Sequence, residues 1–182
     1  MIQSRRTFLC SASLVAAAGT LTACTVTTSG KTTPLTLNTT KVKAYAQAGI
    51  NAVTTILSIT AVSTAMGAPA VAVIEAAGGA LSTALSALAS ETNGSLTVSY
   101  DNTNAKTRID TLLVDLNNVA VAIRAGLVAA QQTVTNSVIN KAIITFNALR
   151  TVIDAFEGVL GISLPSVTDE QEATALSVLA VQ

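Results

Sequence analysis

The sequence predicts an all-α domain, an up-and-down bundle of four long helices with a short C-terminal helix. Three observations point there. From Lys41 onward, apolar residues recur at alternating steps of three and four, the period of one helix face. The periodic runs are cut by Gly, Pro and Asn-Gly into short connections, which favour antiparallel neighbours. Half of the 182 residues are hydrophobic but only 3% are aromatic, so the core must be built from Ala, Val, Leu and Ile.

The elements follow in order. Residues 25–40 hold eight Thr, one Pro and one Gly without a helical period, which reads as a tether. As a flexible coil, these residues would reach roughly 20–24 Å. Leu35–Asn38, "LTLN", alternatively forms a short strand. Helix one is expected over 41–66, stopped by Gly67 and Pro69. Helix two runs over 69–91, with Pro69 in its first turn and Asn93-Gly94 as its stop. In "SLTVSYDNTN", 95–104, Leu96, Val98 and Tyr100 alternate, so a short extended piece there would pair with 35–38. Two lone strands are marginal without packing. Helix three spans 103–131, with caps offered by Asp101 to Asn104 and an apolar face of Ile109, Leu112, Leu116, Val119, Ile123 and Leu127. Helix four spans 135–158, and its face includes Ile139, Ala142, Phe146, Leu149, Ile153 and Phe156. "QQTVTN" between them is a weak break, which leaves two helices or one continuous helix. Thr168 and Gln171 fit a capping box that opens the last helix, to about 180.

Residues 44–90 carry a single charge, Glu75, and two helices of that length would suffice to cross a bilayer. In outline this resembles the uncharged helical hairpin of pore-forming bacterial toxins. The helix register points the other way. Val71, Ile74, Gly78, Leu81, Leu85 and Leu88 form a heptad seam, while Glu75, Gly79, Ser82, Ser86 and Ser90 share the opposite face. A lipid-facing helix would be apolar all round. The expectation is therefore a hairpin packed inside a soluble domain, with Glu75 on the face turned away from the core.

Few chemistries are open to this chain. It has no His, which removes the commonest general base and transition-metal ligand. Lys and Arg balance Asp and Glu at ten each, so there is no basic footprint for nucleic acid. Asp110 and Asp115 do not share a helix face. Asp154 and Glu157 do, but such pairs are usually a solvated surface. Asp169, Glu170 and Glu172 open the last helix, where acids favour the positive end of the dipole. Tyr45 and Tyr100 look isolated. No phosphate loop, calcium loop or metal-ligand cluster is visible. The expectation is no enzyme, no catalytic residue, no metal and no cofactor.

The N-terminus reads as an address. "MIQSRRTFLCSASLVAAAGTLTAC" has a basic start, an apolar run too short to span a bilayer and then small residues, the layout of an export signal. "SRRTFL", with Arg5, Arg6, Phe8 and Leu9, resembles the twin-arginine export motif, although Cys10 stands where that family often has Lys. Leu21, Thr22, Ala23 and Cys24, "LTAC", resemble the bacterial lipoprotein box. The resemblance implies cleavage before Cys24 and acylation of that Cys. Loss of Arg5 and Arg6 would leave eight basic and ten acidic side chains, and no free thiol would remain. Several acyl chains would anchor stably where one binds only marginally. The expected layout is an export signal over 1–23, a lipidated Cys24 and Thr-rich tether over 24–40, and a helical domain over 41–182. Function is expected at the cell envelope, facing the periplasm, in a structural or interaction role. Partners would be the membrane through Cys24 and a protein partner or a second copy, with no nucleic acid. In a Gram-negative cell, Thr25 after the Cys resembles the outer-membrane sorting pattern. The alternative is a membrane-active protein using residues 44–90.

Overall fold

Asn38 closes a strand and caps the helix that follows. Its side-chain oxygen accepts from the amide of Lys41 at 3.2 Å, satisfying one of the donors that a helix start leaves open. The strand is β2, Leu35–Asn38, and the helix is α1, Thr39–Ser58. The structure is a computed structural model and describes residues 24–26, 35–100, 102–163 and 166–181. Over these residues the chain is mostly helical. The further helices are α2 (Thr60–Met66), α3 (Ala68–Thr92), α4 (Thr103–Ala130), α5 (Asn136–Val159) and α6 (Asp169–Val178). Strands β1 (Cys24–Val26) and β3 (Thr97–Ser99) flank β2 in an antiparallel sheet of order β1-β2-β3.

The sheet changes the picture of residues 24–40. Two stretches of the expected tether are strands, with Cys24 paired to Leu37 and Val26 to Leu35. Thr is a poor helix former but suits a pleated surface, so the same composition that excluded a helix permits this ladder. β2 and β3 pair as the alternation suggested, Leu37 opposite Val98. Packing makes the small sheet viable. Leu37 is fully buried in the helical core, the amide of Thr39 donates to Leu96 O at 3.1 Å, and that of Tyr100 to Leu35 O at 2.7 Å.

Helix one does not run continuously over 41–66. It breaks at Ile59, whose backbone is extended (φ −80°, ψ 90°), and α2 leaves α1 at 90°. No Gly or Pro marks the elbow. Thr54, Thr55, Ser58 and Thr60 make the local helix weak, and the Ser58 hydroxyl donates back to Thr55 O at 2.7 Å. The turn buries Val62 and Met66, which a straight helix would carry past the end of the core. Burial outweighs continuity here.

α3 ends as the sequence indicates, with Asn93 and Gly94 both in the left-handed region (φ 45° and 78°). α4 and α5 are separate helices that pack together. The chain turns between them at 131–135, where the amides of Thr133 and Val134 donate to Ala130 O. α6 opens on a complete capping box, the Gln171 amide donating to Thr168 Oγ1 at 3.3 Å and the Thr168 amide to Gln171 Oε1 at 2.9 Å.

One core joins all six helices. α1 packs on α3 and α5, α4 packs on α3 and α5, and α6 lies against α5 and α1. Gly49 is the tightest meeting point. A Cβ there would collide with the side chains of Leu81 on α3 and Leu116 on α4. Gly126 of α4 lies against Ile74 of α3 and Met66 of α2. Leu81 is therefore level with Leu116, and Ile74 with Gly126, so α3 and α4 run antiparallel. On α3 the expected faces appear. Ile74, Gly78, Leu81 and Leu88 are buried, with Val71 and Leu85 partly so, while Glu75, Gly79, Ser82, Ser86 and Ser90 are exposed.

Candidate functional site

Of the residues singled out for export and anchoring, Arg5, Arg6, Phe8, Leu9, Leu21, Thr22 and Ala23 lie outside the described residues. Cys24 begins β1, in register with Leu37. Since Leu37 also pairs with Val98, Cys24 is one strand from β2 and two from β3. At roughly 4.8 Å per strand spacing, Cys24 is within ~10 Å of the connection between α3 and α4. A flexible tether would have left it farther away. α1 and α4 begin at this end of the molecule and α3 finishes there.

Two polar clusters flank that end, and neither was legible as a cluster in the sequence. In the first, Glu172 of α6 is buried. Its Oε1 accepts from Tyr45 Oη at 3.1 Å, and its Oε2 lies 2.9 Å from Lys41 Nζ. Tyr45 in turn packs on Phe156 with the rings tilted by 37°, centroids 5.1 Å apart. Higher on α1, Asn51 Nδ2 donates to Leu179 O at 2.8 Å and Gln47 Nε2 donates to Asn51 Oδ1 at 2.9 Å. Tyr45 is thus not isolated, and Glu172 does more than favour a helix dipole. A fully buried Tyr hydroxyl requires a partner, but the burial of Tyr45 is itself set by the fold, so the sequence carries no signal that leads to Glu172.

The second cluster joins Tyr100, Lys106 and Asp110. Tyr100 Oη donates to Asp110 Oδ1 in a short hydrogen bond. Lys106 Nζ lies 3.0 Å from Tyr100 Oη and 2.5 Å from Asp110 Oδ2, and 4.5 Å from the Tyr100 ring centroid. The hydrogen bond to Asp110, then that to Tyr100, pushes the Lys106 ammonium up to about 12. Burial first, and the Asp110 hydrogen bond second, raises the Tyr100 phenol above its ordinary value. Both shifts hold protons more firmly, the opposite of what a general base or an amine nucleophile needs near neutral pH. The cluster is a surface brace between the start of α4 and the strand before it.

Among the described residues the remaining acids form no cluster. Asp154 and Glu157 stand partly buried near the end of α5, Asp115 lies partly buried on α4, and Glu75 is exposed. Among the described residues no group of acids or thiols could hold a metal ion. Two open hollows are lined by described residues alone. One, of about 590 Å³, lies between α2 and the α4–α5 turn and is lined by Thr60, Ala61, Thr64, Thr133 and Thr135 among others. The other, of about 400 Å³, lies between α5 and α6 and includes Asn147, Thr151, Glu170 and Thr174. The first has no acid or base in its lining, and in the second Glu170 is a single carboxylate.

α3 and α4 are long and apolar enough to cross a membrane by length and composition, as are α1 and α2 if the bent pair is taken as one span. In this fold 22% of the most apolar stretch of α3 is buried and 44% of that of α4. Comparison with known protein families, with curated proteins and with solved structures finds no match.

Proposed function

We propose that the chain is an exported lipoprotein, acylated at Cys24, whose helical domain has a structural or interaction role at the bacterial cell envelope. The observation that carries this reading is the run Leu21-Thr22-Ala23-Cys24 behind the Arg5-Arg6 start. The domain is read as an up-and-down bundle of α1, α3, α4 and α5, with α2 folded across one end and α6 alongside. Each polar cluster ties helices or strands together, as suits a structural role. The partner is the membrane through the acyl chains, with the domain facing the periplasm.

Metabolic labelling with a fatty acid tests the anchor. The wild-type protein is expected to incorporate label and to fractionate with membranes. The Cys24→Ala protein is expected to lose the label and behave as a soluble, monodisperse species. A Cys24→Ala protein that is still labelled, or that still needs detergent, would overturn the reading.

A second reading, membrane activity of residues 44–90, is favoured by the largely uncovered apolar stretch of α3. Dye release from liposomes tests it, and the informative variant is Val73→Lys. Val73 is exposed, whereas Leu81 is fully buried and a Lys there would unfold the domain. Release by the wild type that is lost in Val73→Lys supports insertion. No release across pH and lipid composition removes it.

A further inference from the structure

On α4, Val114, Val121 and Val128 repeat every seven residues and are 58%, 69% and 56% exposed. The exposed Thr111, Asn118 and Ala125 fill the alternating steps between them. This is a second heptad seam, about half a turn from Leu116 and Ile123 in the core, and no charge interrupts it. On α3, the exposed Ala72, Ala76, Gly79, Thr83, Ser86 and Ser90 keep the same alternation of four and three. One helix offers branched knobs and its antiparallel neighbour offers holes between small residues.

We propose that this face joins two copies of the chain about a twofold axis parallel to the helices. Each α4 then lies on α3 of the other copy. Because Leu81 lies near the level of Leu116 and Ile74 near that of Gly126, the heights are set to within about a turn. The partner's Val121 falls over Ala76 and Gly79, the partner's Val114 over Thr83 and Ser86, and the partner's Val128 over Ala72.

Charge agrees with this arrangement. Gly78 packs on Val53 of α1, so Glu75, three residues earlier on the same side, stands on the flank of α3 away from α4. Gly126 packs on Ile74 of α3. Arg124, two residues and about 200° round the helix, stands on the flank of α4 away from α3. Both are exposed and they lie at nearly the same height. The axis brings Glu75 to the partner's Arg124, and symmetry makes the pair twice. Size agrees as well. Helices of 25 and 28 residues packed side by side present about 700 Å², close to the ~800 Å² per partner of a standard interface. A closed twofold interface of this kind also ends the exposure of the seam without leaving a free copy to extend it. With this axis both copies of β1 point the same way, so both Cys24 residues would reach one bilayer. That last point rests on the acylation reading; the seam and the charge pair do not.

Sedimentation equilibrium of the full-length Cys24→Ala chain tests the proposal apart from any anchor. A dimer is expected. Val121→Lys should weaken association at least ~10-fold, since it places a buried, unpaired charge at the centre of the seam. Glu75→Arg should weaken it ~3–10-fold, and Glu75→Arg with Arg124→Glu should bring it back to within ~3-fold of the parent. All three positions are exposed, so unchanged circular dichroism confirms that the domain still folds. A parent chain that stays monomeric at about 100 μM, or a dimer that none of these changes moves, would overturn the proposal. So would a monomer that binds lipid vesicles through Val121. Fatty-acid labelling of the wild type reports separately on Cys24, so failure of one reading does not disguise failure of the other.

Discussion

Tyr45 Oη donates to Glu172 Oε1 at 3.1 Å, across 127 positions of sequence. With Lys41 on the other carboxylate oxygen, this one acid fastens α6 to the first two turns of α1. Glu172→Ala leaves a buried Tyr hydroxyl and a partly buried ammonium without their shared acceptor. A loss of about 2–4 kcal/mol is expected in urea unfolding. Tyr45→Phe removes only the hydroxyl and should cost about 0.5–1.5 kcal/mol. If both variants unfold at the wild-type midpoint, α6 is not held by this contact.

Two glycines should respond with opposite signs to the same substitution. A methyl group at Gly49 would drive into Leu81 and Leu116, both fully buried. Overpacking of that kind typically costs about 1–3 kcal/mol. Nothing lies within 4 Å of a Cβ at Gly79, and that residue is exposed in the middle of α3. Gly79→Ala should stabilise by about 0.5–1 kcal/mol through helix propensity. Thermal unfolding at dilute protein, with Cys24→Ala as the parent, compares them.

Alkali should weaken the fold through the Tyr100 cluster. Both Tyr100 and Lys106 have folded-state values raised above their ordinary ones, Lys106 to about 12. The folded state therefore keeps protons that the unfolded chain releases. Stability from the cluster is complete below about pH 10 and is lost as pH rises toward 12. Asp110→Asn removes the first cause of the Lys106 shift, so the fall in melting temperature between pH 9 and pH 12 should become shallower. Lys106 is exposed, so the effect is a change of slope and not a collapse. An identical slope in Asp110→Asn would remove the cluster from the account of alkaline unfolding.

The elbow at Ile59 can be tested with one proline. Thr60 is the first residue of α2, where Pro is well tolerated, and Ile59 already has the extended backbone that precedes Pro. Thr60→Pro is expected to be neutral or to stabilise by about 0.4–1 kcal/mol. In a straight helix over 41–66 the same change would cost about 3 kcal/mol. A large loss of stability would therefore count against the bend.

What the sequence revealed was local. The heptad face of α3, the outward Glu75, the Asn-Gly stop and the Thr168–Gln171 capping box all follow from neighbours within a turn or two. The pairing of 35–38 with 95–104 was legible because both stretches alternate. Ile59 was not, because no residue there breaks a helix, and the bend exists to bury Val62 and Met66 against elements far along the chain. Glu172 stands in the first turn of α6 as expected, but its contacts were missed for a related reason. An acid in a first turn has a sufficient local explanation, and only the fold brings Tyr45 and Lys41 to it. β1 was hidden by composition, since a Thr-rich stretch satisfies the description of a coil until a partner strand is in place. The residues expected to direct export and anchoring rest on a motif alone, and of them only Cys24 falls within the described residues.

The β1–β2 ladder has a practical consequence for anyone cutting this chain. An expression fragment begun at Leu35 would strip β1 from β2 and leave the outer side of Leu35–Asn38 as a bare edge. Three register pairs would be lost, and an unpaired edge rich in Thr and Leu is a template for sheet growth between molecules. A fragment begun at position 24 keeps that edge covered. The boundary at which the domain becomes well behaved in a tube is thus set by strand pairing, fifteen residues ahead of Thr39, where a helix count would put it.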